Sequence, residues 1–110
     1  MYNKYGNKKV YYNGKKLDSE REKKDYIRFL WLQERGEISD LQTQIKFELQ
    51  EHYKINGKTI RAINYVADFT YYDKEGKFHV VDTKGFRTEV YKIKKKLFEY
   101  KYGIEIEEIW

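Results

Sequence analysis

The chain has 110 residues, with 23 Lys and Arg against 18 Asp and Glu, a formal charge of +5. That length fits one domain with a modest core, and the basic balance suits a polyanionic partner such as nucleic acid, although ordinary solvation uses such charges too. The absence of Cys excludes a disulfide scaffold and thiolate zinc sites, two histidines (His52 and His79) argue against a histidine-rich metal site, and no apolar run reaches membrane length.

Aromatic residues make up 18% of the chain, 12 of them Tyr, which is enough apolar mass for a packed fold and supplies stacking platforms for bases. The start, MYNKYGNKKV, lacks the apolar core of a signal peptide, so a cytoplasmic protein is expected. Residues 1–9 read as a flexible basic arm, either a frayed terminus or a phosphate-contacting tail. Lys9 to Tyr12, Asn13-Gly14 and Lys15 to Leu17 form a hairpin signal, because Asn-Gly suits a type I′ turn.

Asp18-Ser19 then opens a helix. Ser19-x-x-Glu22 matches a capping box, and Gly36 closes the helix as its C-cap. Glu22, Tyr26, Phe29, Leu30 and Gln33 share one face at helical spacing. Glu22 could therefore aim a carboxylate inward, or serve only the cap; Glu20 competes for the same role from a more polar part of the wheel. Gln44 to Leu49 alternates, with Ile45, Phe47 and Leu49 on one side and Gln44, Lys46 and Glu48 on the other, as a half-buried strand does. Glu51 to Thr59, with Asn56-Gly57, is a loop or second hairpin turn, and His52 there reads as a surface residue.

The stretch Ala62 to Thr88 organises the rest. Ile63 to Tyr72 and Lys77 to Lys84 read as strands joined by Asp73-Lys74-Glu75-Gly76. A three-residue loop closed by left-handed Gly76 pairs residue i with 150 − i, setting Asp68 opposite Asp82, whereas a four-residue loop would move the register by one. Asp82 and Lys84 share a face, with Thr83 and His79 turned away. Like charges opposite each other destabilise a ladder, so these carboxylates are either solvated and neutralised by Lys84 or gathered for a divalent cation. Thr88 caps a second helix ending at Gly103. On it Val90, Ile93, Leu97 and Tyr100 make an apolar stripe, while Lys92, Lys95 and Lys96 form either a solvated face or a phosphate contact. Ile104 to Glu107 alternates and is expected to pair parallel to the Asp82 strand through that helical crossover.

The order helix with an inward acid, strand, hairpin carrying Asp and then Asp-x-Lys, basic helix, strand resembles the PD-(D/E)XK, or restriction-endonuclease-like, nuclease superfamily. From about Lys4 to Glu108 the chain is similar to a family of small phage and prophage proteins placed in that superfamily. The phrases that carry the likeness are LDSEREKKDY, GEISDLQTQIKFEL, YVADFTYYD, VVDTKGFRT and VYKIKKKLFEYKYGI. The Pro of the motif's name is missing, and Ala67 precedes Asp68.

The resemblance implies a single α/β domain over residues 1–110 with a mixed central sheet flanked by helices, in the order α-β-β-β-α-β after an N-terminal hairpin. It implies a Mg2+- or Mn2+-dependent endodeoxyribonuclease. Asp68, Asp82, the Thr83 carbonyl and Glu22 would be the metal ligands, with Lys84 as the catalytic lysine. Gln44 and Lys46, with the basic helix residues Lys92, Lys95 and Lys96, would contact DNA. Branched or duplex DNA in phage DNA processing, within the host cytoplasm, is the expected substrate, and a homodimeric Holliday-junction resolvase the expected form. A nicking or repair-type nuclease is the alternative within the class, and a non-catalytic basic nucleic-acid-binding module the alternative outside it. A third reading is an interaction protein whose charges are all solvation.

Overall fold

The computed structural model describes residues 10–12, 14–84 and 86–110. The basic arm expected over residues 1–9 lies outside them. The described residues form eight strands and two helices: β1 (Val10–Tyr12), β2 (Lys15–Leu17), α1 (Glu20–Glu34), β3 (Ile38–Gln50), β4 (Tyr53–Ile55), β5 (Lys58–Ile60), β6 (Ile63–Asp73), β7 (Phe78–Thr83), α2 (Glu89–Tyr102) and β8 (Ile106–Ile109). The main sheet runs β3-β6-β7-β8. Its first two pairings are antiparallel, and β7 and β8 are parallel across the α2 crossover, as expected. β1 with β2 and β4 with β5 make two small hairpins. The mixed α/β architecture with an N-terminal hairpin is thus the one read from the sequence.

Local chemistry explains the turns. The β6–β7 loop closes with Gly76 at φ +81°, its N–H donating to the Asp73 carbonyl at 3.0 Å, and Asp73 N–H donates to the Lys77 carbonyl at 2.9 Å. Phe69, Thr70, Tyr71 and Tyr72 then face Val81, Val80, His79 and Phe78, the 150 − i register. Asn56 and Gly57 both take positive φ, as a type I′ turn requires. Ser19 caps α1 by accepting from Glu22 N–H, and Thr88 caps α2 by accepting from Tyr91 N–H.

Helices cover both faces of the sheet. On one, α1 sets Tyr26 and Phe29 against Phe69, with Leu17, Ile38 and Val81 beside them. On the other, α2 sets Tyr91 and Phe98 against Tyr65, Ala67, Val80 and Ile106. Phe47 and Tyr65 meet Phe98 at ring-centroid distances of 5.0 and 5.2 Å.

Four expectations need correction. The α2 stripe Val90, Ile93, Leu97 and Tyr100 is exposed, and Tyr91 and Phe98, rotated one position along the wheel, are buried instead. Both sets have helical spacing, and the aromatic pair fills the space over Phe47 and Tyr65. The C-cap of α1 is Arg35, with Gly36 following at φ +79° as the left-handed residue. β3 is longer than Gln44 to Leu49, because Ile38 and Ser39 pair with the far end of β6. β8 starts at Ile106 rather than Ile104. Among the described residues, no helix is long and apolar enough to cross a membrane.

Candidate functional site

The β6–β7 ladder stops one step short of Asp68 and Asp82. Beyond the Phe69–Val81 pair, side chains replace the backbone rungs: Asp68 N–H donates to Asp82 Oδ1 at 3.3 Å, and Thr83 N–H donates to Asp68 Oδ2 at 2.8 Å. Alternation along β6 breaks at the same point. Ala67 packs in the α2 cluster, whereas Phe69 lies in the α1 cluster and the Asp68 carboxylate lies near Gln44 and Glu22.

On β3, Thr43 pairs with Phe69 and Ile45 with Ala67, so Gln44 stands beside Asp68. Gln44 takes φ +53°, a left-handed conformation that costs a non-glycine residue about 1–2 kcal/mol. Its amide donates to Glu22 Oε1 at 2.6 Å and reaches Asp68 Oδ1 at 3.5 Å. Strain in the middle of a strand, at a residue holding two acids, is the pattern of a functional site rather than of a plain ladder.

Carboxylate oxygens of Asp18, Glu22 and Asp68 lie within 4.8 Å of one another. Glu22 is 2% exposed, held at the start of α1 by the Ser19 cap, and its Oε2 accepts from Asp18 N–H at 3.2 Å. Burial, and then the neighbouring Asp18 charge, push its carboxyl up to about 7. Burial first, then Asp82 and Glu22, push Asp68 well above the usual carboxylate range. Among the described residues, no cationic side chain pairs with Glu22 or Asp68. Acids packed this way hold protons or a cation.

Asp82 is not one of the three. It is buried, its Oδ2 accepting from the Tyr65 hydroxyl at 2.7 Å and lying 3.3 Å from Lys84 Nζ. The same ammonium sits 3.6 Å from the Tyr91 ring centroid, so Asp82 and an aromatic face fix its position together. Arg21 anchors this end of the sheet, donating from Nη1 to the Lys84 carbonyl and from Nη2 to the Ile109 carbonyl at 2.8 and 2.9 Å. The Thr83 hydroxyl donates to Asp25 Oδ2 at 2.8 Å. A cavity of about 540 Å³ opens over this arrangement, lined by Asp18, Arg21, Glu22, Asp68, Lys84 and Phe86 among others.

The structure therefore brings Glu22, Gln44, Asp68, Asp82, Thr83 and Lys84 into one neighbourhood. Glu20 is exposed, which separates the two glutamates that the helical wheel left in competition. Lys46 is exposed on β3, beside Val66 in register. Lys92, Lys95 and Lys96 do not line the acidic cavity; with Arg87 and Glu108 they line a separate pocket of about 250 Å³. Lys92 pairs with Glu89 and Lys95 with Glu99. Sequence reasoning missed Asp18, whose signal was its spacing of one helical turn before Glu22, masked by its reading as part of the helix start. It also missed Tyr65 and Arg21, whose partners are far away in sequence.

Three carboxylates offering hard oxygens within 4.8 Å, two of them raised by burial and by neighbouring negative charges, fit a divalent cation such as Mg2+ or Mn2+. Asp18, Glu22 and Asp68 would be its nearest donors. A search of the curated proteins and of the solved structures finds no match to the chain. The family described as "Protein of unknown function (DUF1064)" matches residues 2–110, nearly the whole sequence, and the chain belongs to that family.

Proposed function

We propose that the protein is a metal-dependent endonuclease of the PD-(D/E)XK type, hydrolysing phosphodiester bonds in DNA. The observation that carries this reading is the meeting of Glu22 and Asp68 under an open cavity, beside the buried Asp82–Lys84 pair, where β6 and β7 part. A basic binding module has no use for carboxylates buried against each other, because such groups cost stability without touching a polyanion favourably. A structure-selective enzyme acting on branched DNA in phage DNA processing, as a homodimer in the host cytoplasm, is the specific form proposed.

When bound, Mg2+ would lower the pKa of its water and withdraw charge from the phosphate. Asp68 and Glu22, with Asp18, would hold it, and Asp82 and the Thr83 carbonyl complete the set that the superfamily likeness implies. The chain's own groups supply the rest. Lys84 presents a compact point charge to a phosphate oxygen, and its position is set by Asp82, by the Tyr91 ring and by Arg21 on its carbonyl. Gln44 orients the Glu22 carboxylate through its amide, and Thr83 N–H fixes that of Asp68.

The test is incubation with end-labelled four-way junction, linear duplex and single-stranded DNA in Mg2+, Mn2+ or EDTA, beside Asp82→Ala. Metal-dependent cuts lost in the variant are expected. Undiminished cleavage by metal-loaded Asp82→Ala would overturn the assignment, and cleavage of every substrate alike would remove the branch selectivity.

A further inference from the structure

Phe86 is 75% exposed, yet it lines the acidic cavity together with Asp68 and Lys84. A ring at the rim of that cavity offers a flat face to a base, next to the acids read above as a phosphodiester site. The next residue, Arg87, turns to the other cavity, the basic pocket it shares with Lys92, Lys95 and Lys96. Arg87 pairs with Glu108 and lies with its guanidinium 5.1 Å from the ring centroid of Trp110, itself 60% exposed. The segment after β7 thus places an exposed ring at the acidic cavity and, next to it, a guanidinium against a second exposed ring at the pocket of Lys92, Lys95 and Lys96, where Glu108, Glu89 and Glu99 offset part of the positive charge.

Alternating aromatic faces and cations are what an unpaired strand needs. Each base has a π-face to stack, and the backbone follows the positive groove. Inside a duplex no base face is free to meet Phe86, because each base is stacked on both sides. We propose that the substrate carries an unpaired strand at the scissile phosphate, with one base stacked on Phe86 and the chain continuing along Arg87, Trp110 and the Lys92–Lys95–Lys96 pocket. This rests on the reading of the acidic cavity as a phosphodiester site, and it makes Phe86 a specificity-determining residue.

The experiment compares the native protein with Phe86→Ala and Phe86→Trp, on fluorescein-labelled oligothymidylate, a forked duplex with unpaired arms and a blunt duplex of equal length. Binding is read by anisotropy in EDTA, and cleavage separately in Mg2+. The expected result is binding of the single strand and fork in preference to the blunt duplex. Phe86→Ala should lose about tenfold in affinity for the two substrates with unpaired bases. Phe86→Trp should keep that affinity, and duplex binding should be the same in all three proteins. Equal affinity for all substrates, or indifference of single-strand binding to Phe86→Ala, would overturn the inference, and would leave the nuclease reading intact if Mg2+ still supports cleavage. Binding that depends on Phe86 with no cleavage in Mg2+ or Mn2+ would support the stacking site and overturn the nuclease reading instead.

Discussion

The α1 and α2 sides of the β3-β6-β7-β8 sheet have similar apolar cores and opposite treatments of charge. On the α1 side, Glu22 and Asp68 are turned inward toward each other and toward Asp18, and no described cation answers the first two. On the α2 side the charges have partners: buried Asp82 meets the Tyr65 hydroxyl and Lys84, Lys92 pairs with Glu89 in solvent, and Lys95 pairs with Glu99, partly buried. An exposed pair such as Lys92–Glu89 contributes about 0–1 kcal/mol. Buried like charges cost more than that and are retained where they do chemistry. The difference locates the acidic site better than composition does, since a net charge does not say which like charges are buried together.

The sharpest way to break that contrast is to remove one buried charge while keeping its shape. Asp68→Asn preserves an acceptor for Thr83 N–H and relieves repulsion with Glu22 and Asp82. Metal-dependent cleavage should disappear, while the metal-free Tm should rise. Titrating Mg2+ should then raise the Tm of the native protein, by about 2.7 kcal/mol of stability at a hundredfold excess over Kd, and leave that of the variant unchanged. A metal-free Tm that falls in Asp68→Asn would mean that the carboxylates stabilise the fold, and the contrast between the two sides would lose its meaning.

The apolar layers should respond alike. Phe69 under α1 and Phe98 on the inner face of α2 are both fully buried, so Phe69→Ala and Phe98→Ala should each cost about 3–5 kcal/mol in chemical denaturation. Leu97, one residue before Phe98 and 45% exposed, is the milder control: Leu97→Ser should cost about 1–2 kcal/mol. A large loss at Leu97 would show that the stripe Val90, Ile93, Leu97 and Tyr100 is covered in solution.

That control marks where the sequence stopped being legible. Elements bounded by turn chemistry were readable: Asn56-Gly57, Gly76 and the Ser19 and Thr88 caps each act within a few residues, and so does the register they impose. The acids at 68 and 82 and Lys84 were readable because alternation put them on one hairpin. What failed was local pattern with two solutions. Val90, Ile93 and Leu97 have helical spacing as good as that of Tyr91 and Phe98, and only the rings of Phe47 and Tyr65 on other strands decide between them. The left-handed turn of Gln44 was hidden for a similar reason. Nothing within β3 requires it; the requirement comes from Glu22 and Asp68, 22 residues before it and 24 after it. Asp18 was overlooked because a helix start already explained it.

The smallest effect expected comes from a charged group at the opposite end of the β6–β7 hairpin from the acids. His79 Nε2 lies 2.7 Å from Asp73 Oδ2, Nδ1 meets Glu107 on β8, and the ring stacks on Tyr71 at 4.8 Å. Burial alone would lower the imidazole, but the bonds to Asp73 and Glu107 outweigh it, and the folded value lies above the ordinary 6.5. A raised folded value means that the stabilisation is fully present below the unfolded value and is lost as pH rises through the folded one. Asp73, lowered by the same contact, adds stability above its ordinary 3.8, which is lost only at lower pH. The cluster should therefore contribute most at about pH 5–6. Denaturation of the native protein and of His79→Gln at pH 5.5 and pH 9 checks this: the gap between them should narrow at the higher pH. An equal gap would mean that the ring acts through its stacking on Tyr71 and not through its charge, and this surface cluster would then differ from the α2 ion pairs in kind as well as in place.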